Sequence, residues 1–301
     1  MHEPASQFIS LNGRRHHIAA WGDAANPVLL LVHGMRDHAR NWDWVAQKFC
    51  DQFHVLAPDL RGHGDSDWSE AGAYSLFNYA RDLADIIDTL GLRDICLIGH
   101  SMGGHIALRY AASFPEKLKA LCIIEGVELP IVREQRSHPV PYPERLRKWI
   151  GDERSRQNRP LRYYDTLAAA QARMATQNPA IDAETVAHLC RHGTVSVAGQ
   201  GLRWKYDNRC RFRAPDDAHG LDLDEILEAI LCPTLLAYGA DSWIPIPPAE
   251  RLNRIRHHRV AIFENASHWL HHQAREPFLR TLASFLSAPA DFLIDERKYH
   301  A

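Results

Sequence analysis

The segment Ile98-Gly99-His100-Ser101-Met102-Gly103-Gly104 constrains this chain more than any other. An apolar run, Ile95-Cys96-Leu97-Ile98, leads into it, and Met102, Ile106, Ala107 and Tyr110 follow at helical spacing. That order reads as strand, tight turn, helix. Glycines at 99 and 103 let the strand and the helix approach closely, while the turn forces its central residue into a strained conformation. Ser101 is thereby presented at the C-terminal edge of a sheet, and the helix N-terminus behind it favours negative charge. The G-x-S-x-G spacing, flanked in this order, points to an enzyme's nucleophile.

The rest of the chain alternates strands with helices. Asn12-Gly13 between two strand-like runs signals a hairpin. Val28 to Val32 is purely aliphatic, as a strand buried on both faces requires. Phe53 to Ala57 and Leu118 to Ile124 read as further strands. Tyr79, Leu83, Ile86, Ile87 and Leu90 mark one face of a helix that Gly91 stops. After Glu125-Gly126 the alternation breaks, and it resumes with Thr234 to Tyr238, a helix over Pro248 to Ile255, Arg259 to Phe263 and a closing helix at Phe278 to Leu286. The expected fold class is α/β, a mostly parallel doubly wound sheet with an inserted helical lid. Residues 1–129 and 224–301 form the expected core, and 130–223 the lid. Within the lid, helices are expected around Glu144 to Ile150, Tyr164 to Gln177 and Ala183 to Arg191.

Composition narrows the function classes. With a formal net charge of -2, the 301 residues advertise no bulk attraction to nucleic acid or anionic membrane. No apolar run reaches the roughly 18 residues of a spanning helix. Met1-His2-Glu3-Pro4 lacks the pattern of a signal peptide. The six cysteines show neither C-x-x-C nor zinc-ligand spacing, so reduced, mostly buried thiols in a cytoplasmic protein are expected. No cofactor or metal is called for, and the expected partner is a small acyl substrate.

A serine hydroxyl needs a base to take its proton, and the base needs a carboxylate to orient it. Nineteen histidines make any lone one uninformative. His268, in Asn265-Ala266-Ser267-His268-Trp269, stands out because it follows the last expected strand at loop distance. His271 and His272 lie close by, but no acid or cysteine completes a metal site with them, so a structural role is expected. Two residues compete as the acid: Glu125 after the strand that follows the serine, and Asp241 after the strand before the last. The oxyanion hole is expected from the backbone amides of Met102 and of Met35, where Gly34 permits a close turn. His33 and the loop from Asp59 to Ser66 are expected to be structural.

With these residues in place, the chain resembles the α/β-hydrolase superfamily over nearly its whole length. The matching motifs are His33-Gly34, Asp59-Leu60-Arg61-Gly62-His63-Gly64, Gly99-His100-Ser101-Met102-Gly103-Gly104 and Ser267-His268. Within it, Asp37-His38, Asn41-Trp42-Asp43-Trp44, Ile124-Glu125-Gly126 and His268-Trp269-Leu270-His271-His272 look like a serine-hydrolase group related to haloalkane dehalogenases. Those carry Asp as nucleophile; Ser101 stands in that place here, so halide displacement through a carboxylate is not implied. The superfamily's usual Gly-x-x-Asp acid motif is broken, with Ser242 in the fourth place and Asp241 one residue early. The resemblance to the dehalogenase branch implies Glu125 as the acid, with Asp241 as the alternative.

The expected activity is hydrolysis of an ester-like acyl bond, of carboxylesterase type, through an acyl-enzyme. Carbon–carbon (diketone), lactone and thioester hydrolysis use the same triad, and a non-catalytic ligand-binding protein could keep the fold. Trp149 and Trp204, with Tyr163, Tyr164 and Tyr206, are candidate pocket residues from the lid. Eight arginines and one lysine between Ile131 and Arg162 face four acids, a balance that would suit an anionic substrate such as an acyl-CoA or simply a solvated helical face.

Overall fold

A computed structural model describes residues 2–70, 72–128, 130–157, 160–211 and 222–294. Among these residues are ten strands: β1 (Ala5–Leu11), β2 (Arg14–Trp21), β3 (Val28–Val32), β4 (His54–Pro58), β5 (Ile95–His100), β6 (Leu118–Ile124), β7 (Thr194–Val197), β8 (Gly201–Trp204), β9 (Thr234–Gly239) and β10 (His258–Phe263). Eight build one sheet in the order β1-β2-β4-β3-β5-β6-β9-β10. β1, β2 and β4 pair antiparallel, and the remaining neighbours run parallel. The β1–β2 hairpin turns at Asn12 and Gly13, whose φ values of 51° and 72° are those its Asn-Gly sequence favours.

The central strands read as unbroken apolar runs because both faces are covered. Leu30, Val32, Leu56 and Leu97 point into one layer, with helices α2 (Leu76–Thr89) and α3 (Met102–Ser113). Leu29, Leu31, Val55 and Ile98 point into the other, against α1 (Asp43–Phe49) and the C-terminal helix over Arg275–Ser287. The fold is that of an α/β hydrolase. All six cysteines are free and buried. Among the described residues no helix is long and apolar enough to cross a membrane.

Between β6 and β9 the chain leaves the main sheet. It forms α4 (Pro130–Ser137), α5 (Tyr142–Gln157), α6 (Leu167–Gln177), α7 (Ala183–Gly193), the β7–β8 hairpin and α8 (Leu223–Glu228). The hairpin went unforeseen, because Thr194 to Trp204 is too short and too polar to read as paired strands. Helix α6 starts three residues later than its apolar spacing suggests, since the Thr166 side chain caps it by accepting from the Ala169 N–H. The helix expected over Pro248 to Ile255 is limited to Ala249–Leu252. Residue 129, at the expected start of the insertion, and 212–221, near its expected end, lie outside the described residues. The segment is tied to the sheet edge by buried imidazoles: His38 Nε2 donates to the Leu189 carbonyl at 3.0 Å, and His188 Nε2 to that of Arg40 at 3.0 Å.

Candidate active site

Register brings the site together. His100 on β5 pairs with Ile124 on β6, and Ile124 with Ala237 on β9, so three parallel strands end side by side. The next residues continue the ladder: the Ser101 N–H donates to Ile124 O at 2.8 Å, and the Glu125 N–H to Ala237 O at 3.0 Å. Both Ser101 and Glu125 adopt positive φ, 53° and 50°, which turns each side chain off its strand toward the same point above the sheet edge. Such backbone strain persists only where the surroundings hold it. Glycines make that possible. A Cβ at Gly99 would lie 2.4 Å from Gly103 O, one at Gly103 would lie 2.3 Å from Val32 O, and Gly104 meets Gly126 face to face.

His268 reaches the same point from the loop after β10. Its Nε2 lies 3.0 Å from Ser101 Oγ and its Nδ1 2.8 Å from Glu125 Oε2. The Glu125 side chain is fully buried. Its Oε1 accepts from the Gly239 N–H at 2.8 Å, and its Oε2 accepts from the Ser242 hydroxyl as well as from His268. Asp241, the alternative acid, is exposed, and only its backbone is engaged here, donating to Ala266 O at 2.9 Å. β9 runs two residues past Ala237, and among the described residues no hydrogen bond or ion pair joins Asp241 to the imidazole. The amides of Met35 and Met102 find no protein acceptor among the described residues, as groups available to an oxyanion should. Gly34 abuts Ser101, its absent Cβ lying 3.4 Å from that of the serine.

The surrounding histidines are structural. His33 Nδ1 donates to Gly34 O at 2.7 Å while its Nε2 accepts from the Leu60 N–H at 3.0 Å, and burial pushes its pKa down to about 3. His100 donates from Nε2 to the His268 carbonyl at 2.9 Å, supporting the loop that carries His268. Burial holds it neutral. His271 and His272 are buried and turn their Nε2 atoms to Asn41 Oδ1, at 3.0 and 2.6 Å. In the loop after β4, Asp59 is buried, and its carboxylate accepts from His17 and from the Ala39 and Asp65 amides. Burial alone would raise its pKa; the His17 contact and those hydrogen bonds bring it below the usual carboxylate range. Asp43, His188 and His192 offer atoms within 4.8 Å of one another, as metal ligands would. Arg40 already grips both oxygens of Asp43, at 2.9 and 2.7 Å, so that charge is matched without an ion.

Ser101 and His268 open onto a cavity of about 670 Å³. Met35, Arg36, Met174, Trp204, Tyr206 and Trp269 are among its walls. Trp204 therefore lies where the sequence suggested. Trp149 does not: it sits on α5, and no described residue of that helix lines the cavity. Tyr164 instead pairs with the hairpin, exchanging backbone hydrogen bonds with Leu202 and accepting from Trp204 Nε1 at 3.2 Å. Sequence reasoning passed over Ser242, although its place in the broken Gly-x-x-Asp motif was the available signal.

The sequence profile described as "Alpha/beta hydrolase family" matches residues 29–281. The chain belongs to the alpha/beta hydrolase family. Among curated relatives, an uncharacterised protein of Mycobacterium tuberculosis is 36% identical over 123 residues, 41% of this chain. The match spans only 35% of that relative's length. N-formylmaleamate deformylase of Pseudomonas putida is 28% identical over 283 residues, covering 93% of this chain and 96% of that one. Among solved structures, a thioesterase domain from the curacin biosynthetic pathway superposes with a TM-score of 0.83 at 25% identity, covering 94% of this chain and 100% of that domain.

Proposed function

We propose that this family member is a serine hydrolase of ester-like acyl bonds, of carboxylesterase type. The observation that carries the reading is the unbroken run from Ser101 Oγ through the His268 imidazole to the buried Glu125 carboxylate, at the wall of the 670 Å³ cavity. His268 Nε2 takes the proton of Ser101 as Oγ bonds to the acyl carbon, and Glu125 holds the imidazole in the tautomer that can accept it. The amides of Met35 and Met102 receive the charge that moves onto the carbonyl oxygen. The C–O bond of the ester then breaks, the alcohol leaves with the proton from His268, and an acyl-enzyme remains. Water attacks that ester, giving its proton to His268, which returns it to Ser101 as the acid departs. In this reading residues 130–223 act as the lid, with Met174 and Trp204 closing the cavity over the serine. A deformylase and a thioesterase among the similar proteins support acyl chemistry.

Intact mass after treatment with a fluorophosphonate, followed by peptide mapping, tests the reading. A single adduct on Ser101, absent from Ser101→Ala, is expected, together with loss of ester turnover in that variant. A folded protein that forms no adduct, or a Ser101→Ala variant that still turns over ester, would overturn it.

A further inference from the structure

Among the described residues the cavity wall carries one lysine or arginine, Arg36, directly after the proposed oxyanion residue Met35. Several cations nearby have carboxylate partners: Lys205 sits 2.8 Å from Asp65, Arg40 lies against Asp43 at 2.7 Å, and Arg61 is bound by Asp82. Arg36 is exposed and has no ion pair among the described residues. The one acid lining the same cavity among the described residues, Asp37, has both oxygens engaged by other groups. Its Oδ1 accepts from the His38 N–H at 2.9 Å and its Oδ2 from the Asn41 amide. Burial also raises the Asp37 pKa well above the usual carboxylate range, which weakens its claim on a neighbouring guanidinium. Beside His268 the wall also carries His100, held neutral by burial, and Tyr206, whose phenol burial pushes up and so keeps protonated. Among the described residues of the cavity wall, Arg36 is therefore a cation without a carboxylate partner.

Arg36 is also held in place. Its φ of 61° follows from the turn that brings Gly34 against Ser101. The guanidinium carbon lies 5.8 Å from the centre of the Tyr206 ring, which stacks on Trp204 at 6.0 Å. The Tyr206 side chain takes one hydrogen bond from Arg36, and a guanidinium with five N–H donors has others to offer a planar anion. Of the basic stretch expected to attract anions, no described side chain lines the cavity; the side chains of Arg136, Arg156 and Arg159 lie outside the described ones.

We propose that Arg36 is the specificity-determining residue of a carboxylate subsite, and that the preferred substrates are acyl compounds bearing a second, free carboxylate a few carbons from the scissile carbonyl. Half-esters of short dicarboxylic acids are the simplest such class. The guanidinium and the proposed oxyanion amide belong to consecutive residues that line one cavity, so the second carboxylate is placed within an arginine side chain's reach of the scissile carbonyl. This proposal rests on the acyl-hydrolase reading, but one arm of its test does not depend on turnover.

The test compares mono-p-nitrophenyl glutarate with its methyl ester, in which the free carboxylate is masked as a neutral ester, and reads p-nitrophenol release from both. In the wild-type protein kcat/KM is expected to favour the anionic substrate by about tenfold or more, since a charge-assisted, bidentate contact is at stake. The preference should shrink as ionic strength rises. Arg36→Asn, chosen because asparagine tolerates a left-handed backbone, should collapse the ratio toward one through KM for the anionic substrate. Arg36→Lys should retain part of the ratio. For the binding arm, glutarate titrated calorimetrically into Ser101→Ala should bind, and should lose that binding when Arg36→Asn is added. A ratio near one in the wild type, a ratio unchanged in Arg36→Asn, or equal glutarate binding with and without Arg36 would overturn the subsite. Failure of fluorophosphonate to label Ser101, with glutarate binding still dependent on Arg36, would overturn the hydrolase reading and leave the subsite standing.

Discussion

The ends of β6 and β9 each offer an acid to the same histidine, and they treat it in opposite ways. Glu125 follows β6 at once, is buried, and is matched on both oxygens by the Gly239 amide, the Ser242 hydroxyl and His268. Asp241 comes two residues after β9 ends, is exposed, and contributes here only a backbone N–H to Ala266. A carboxylate is placed by the ladder that delivers it, more than by its spacing along the chain. β6 stops level with β5, so its next residue sits beside Ser101. β9 overshoots that level, and the residue standing nearest the old acid position, Ser242, donates to Glu125 instead. The close approach of β9 to the histidine loop requires Gly239, where a Cβ would lie 2.3 Å from Ala266 O.

The sharpest break of this comparison is a pair of single substitutions. Glu125→Gln should lower kcat by about 10³- to 10⁴-fold, the scale seen when the orienting acid of a triad is neutralised. Asp241→Ala should stay within about twofold of wild type, as a surface change away from the site. Steady-state kinetics on one activated ester decides it, and equal losses would erase the distinction between the two strand ends.

A smaller effect is expected from moving the acid. Glu125→Gly suits the φ of 50° at that position, and Ser242→Asp restores the family's Gly-x-x-Asp spacing. The double variant should recover about 10- to 100-fold of the kcat lost in Glu125→Gly alone, because a carboxylate at 242 lies within hydrogen-bonding range of the Glu125 place beside His268. No recovery in a folded double variant would mean that β9 cannot deliver an acid here.

The smallest effect on the comparison comes from pH. Burial lowers the pKa of His33 to about 3 and of His38 and His63 to about 4, against about 6.5 when unfolded. Between those values the unfolded chain binds protons that the folded one refuses, so stability falls as pH drops from about 6.5 toward 4. Three such groups would cost roughly 4 kcal/mol per pH unit at the steepest part. Urea midpoints should therefore be flat from pH 8 to 7 and fall sharply by pH 5, equally in wild type, Glu125→Gln and Asp241→Ala. Unequal shifts would show that one strand end, and not the histidine-rich sheet edge as a whole, governs acid stability.

Local chemistry made much of this protein legible from its residues in order. Aliphatic runs such as Val28 to Val32 can only be buried strands, Asn12-Gly13 can only turn tightly, and a serine between glycines at a strand-to-helix junction can only be exposed and strained. Those features act within a few residues of themselves, so the α/β-hydrolase fold and the positions of Ser101 and His268 could be read without coordinates. What tertiary structure alone decided are the choices made between segments far apart in the chain. Strand register, not spacing, separated Glu125 from Asp241 across more than a hundred residues. The packing of the inserted segment brought Trp204 to the cavity and left Trp149 away from it. Among the described residues Arg36 has no carboxylate partner, because its neighbour Asp37 is engaged by Asn41 and His38 and Asp65 pairs with Lys205. Pairing of that kind depends on which groups arrive together, and a linear order of residues does not contain it.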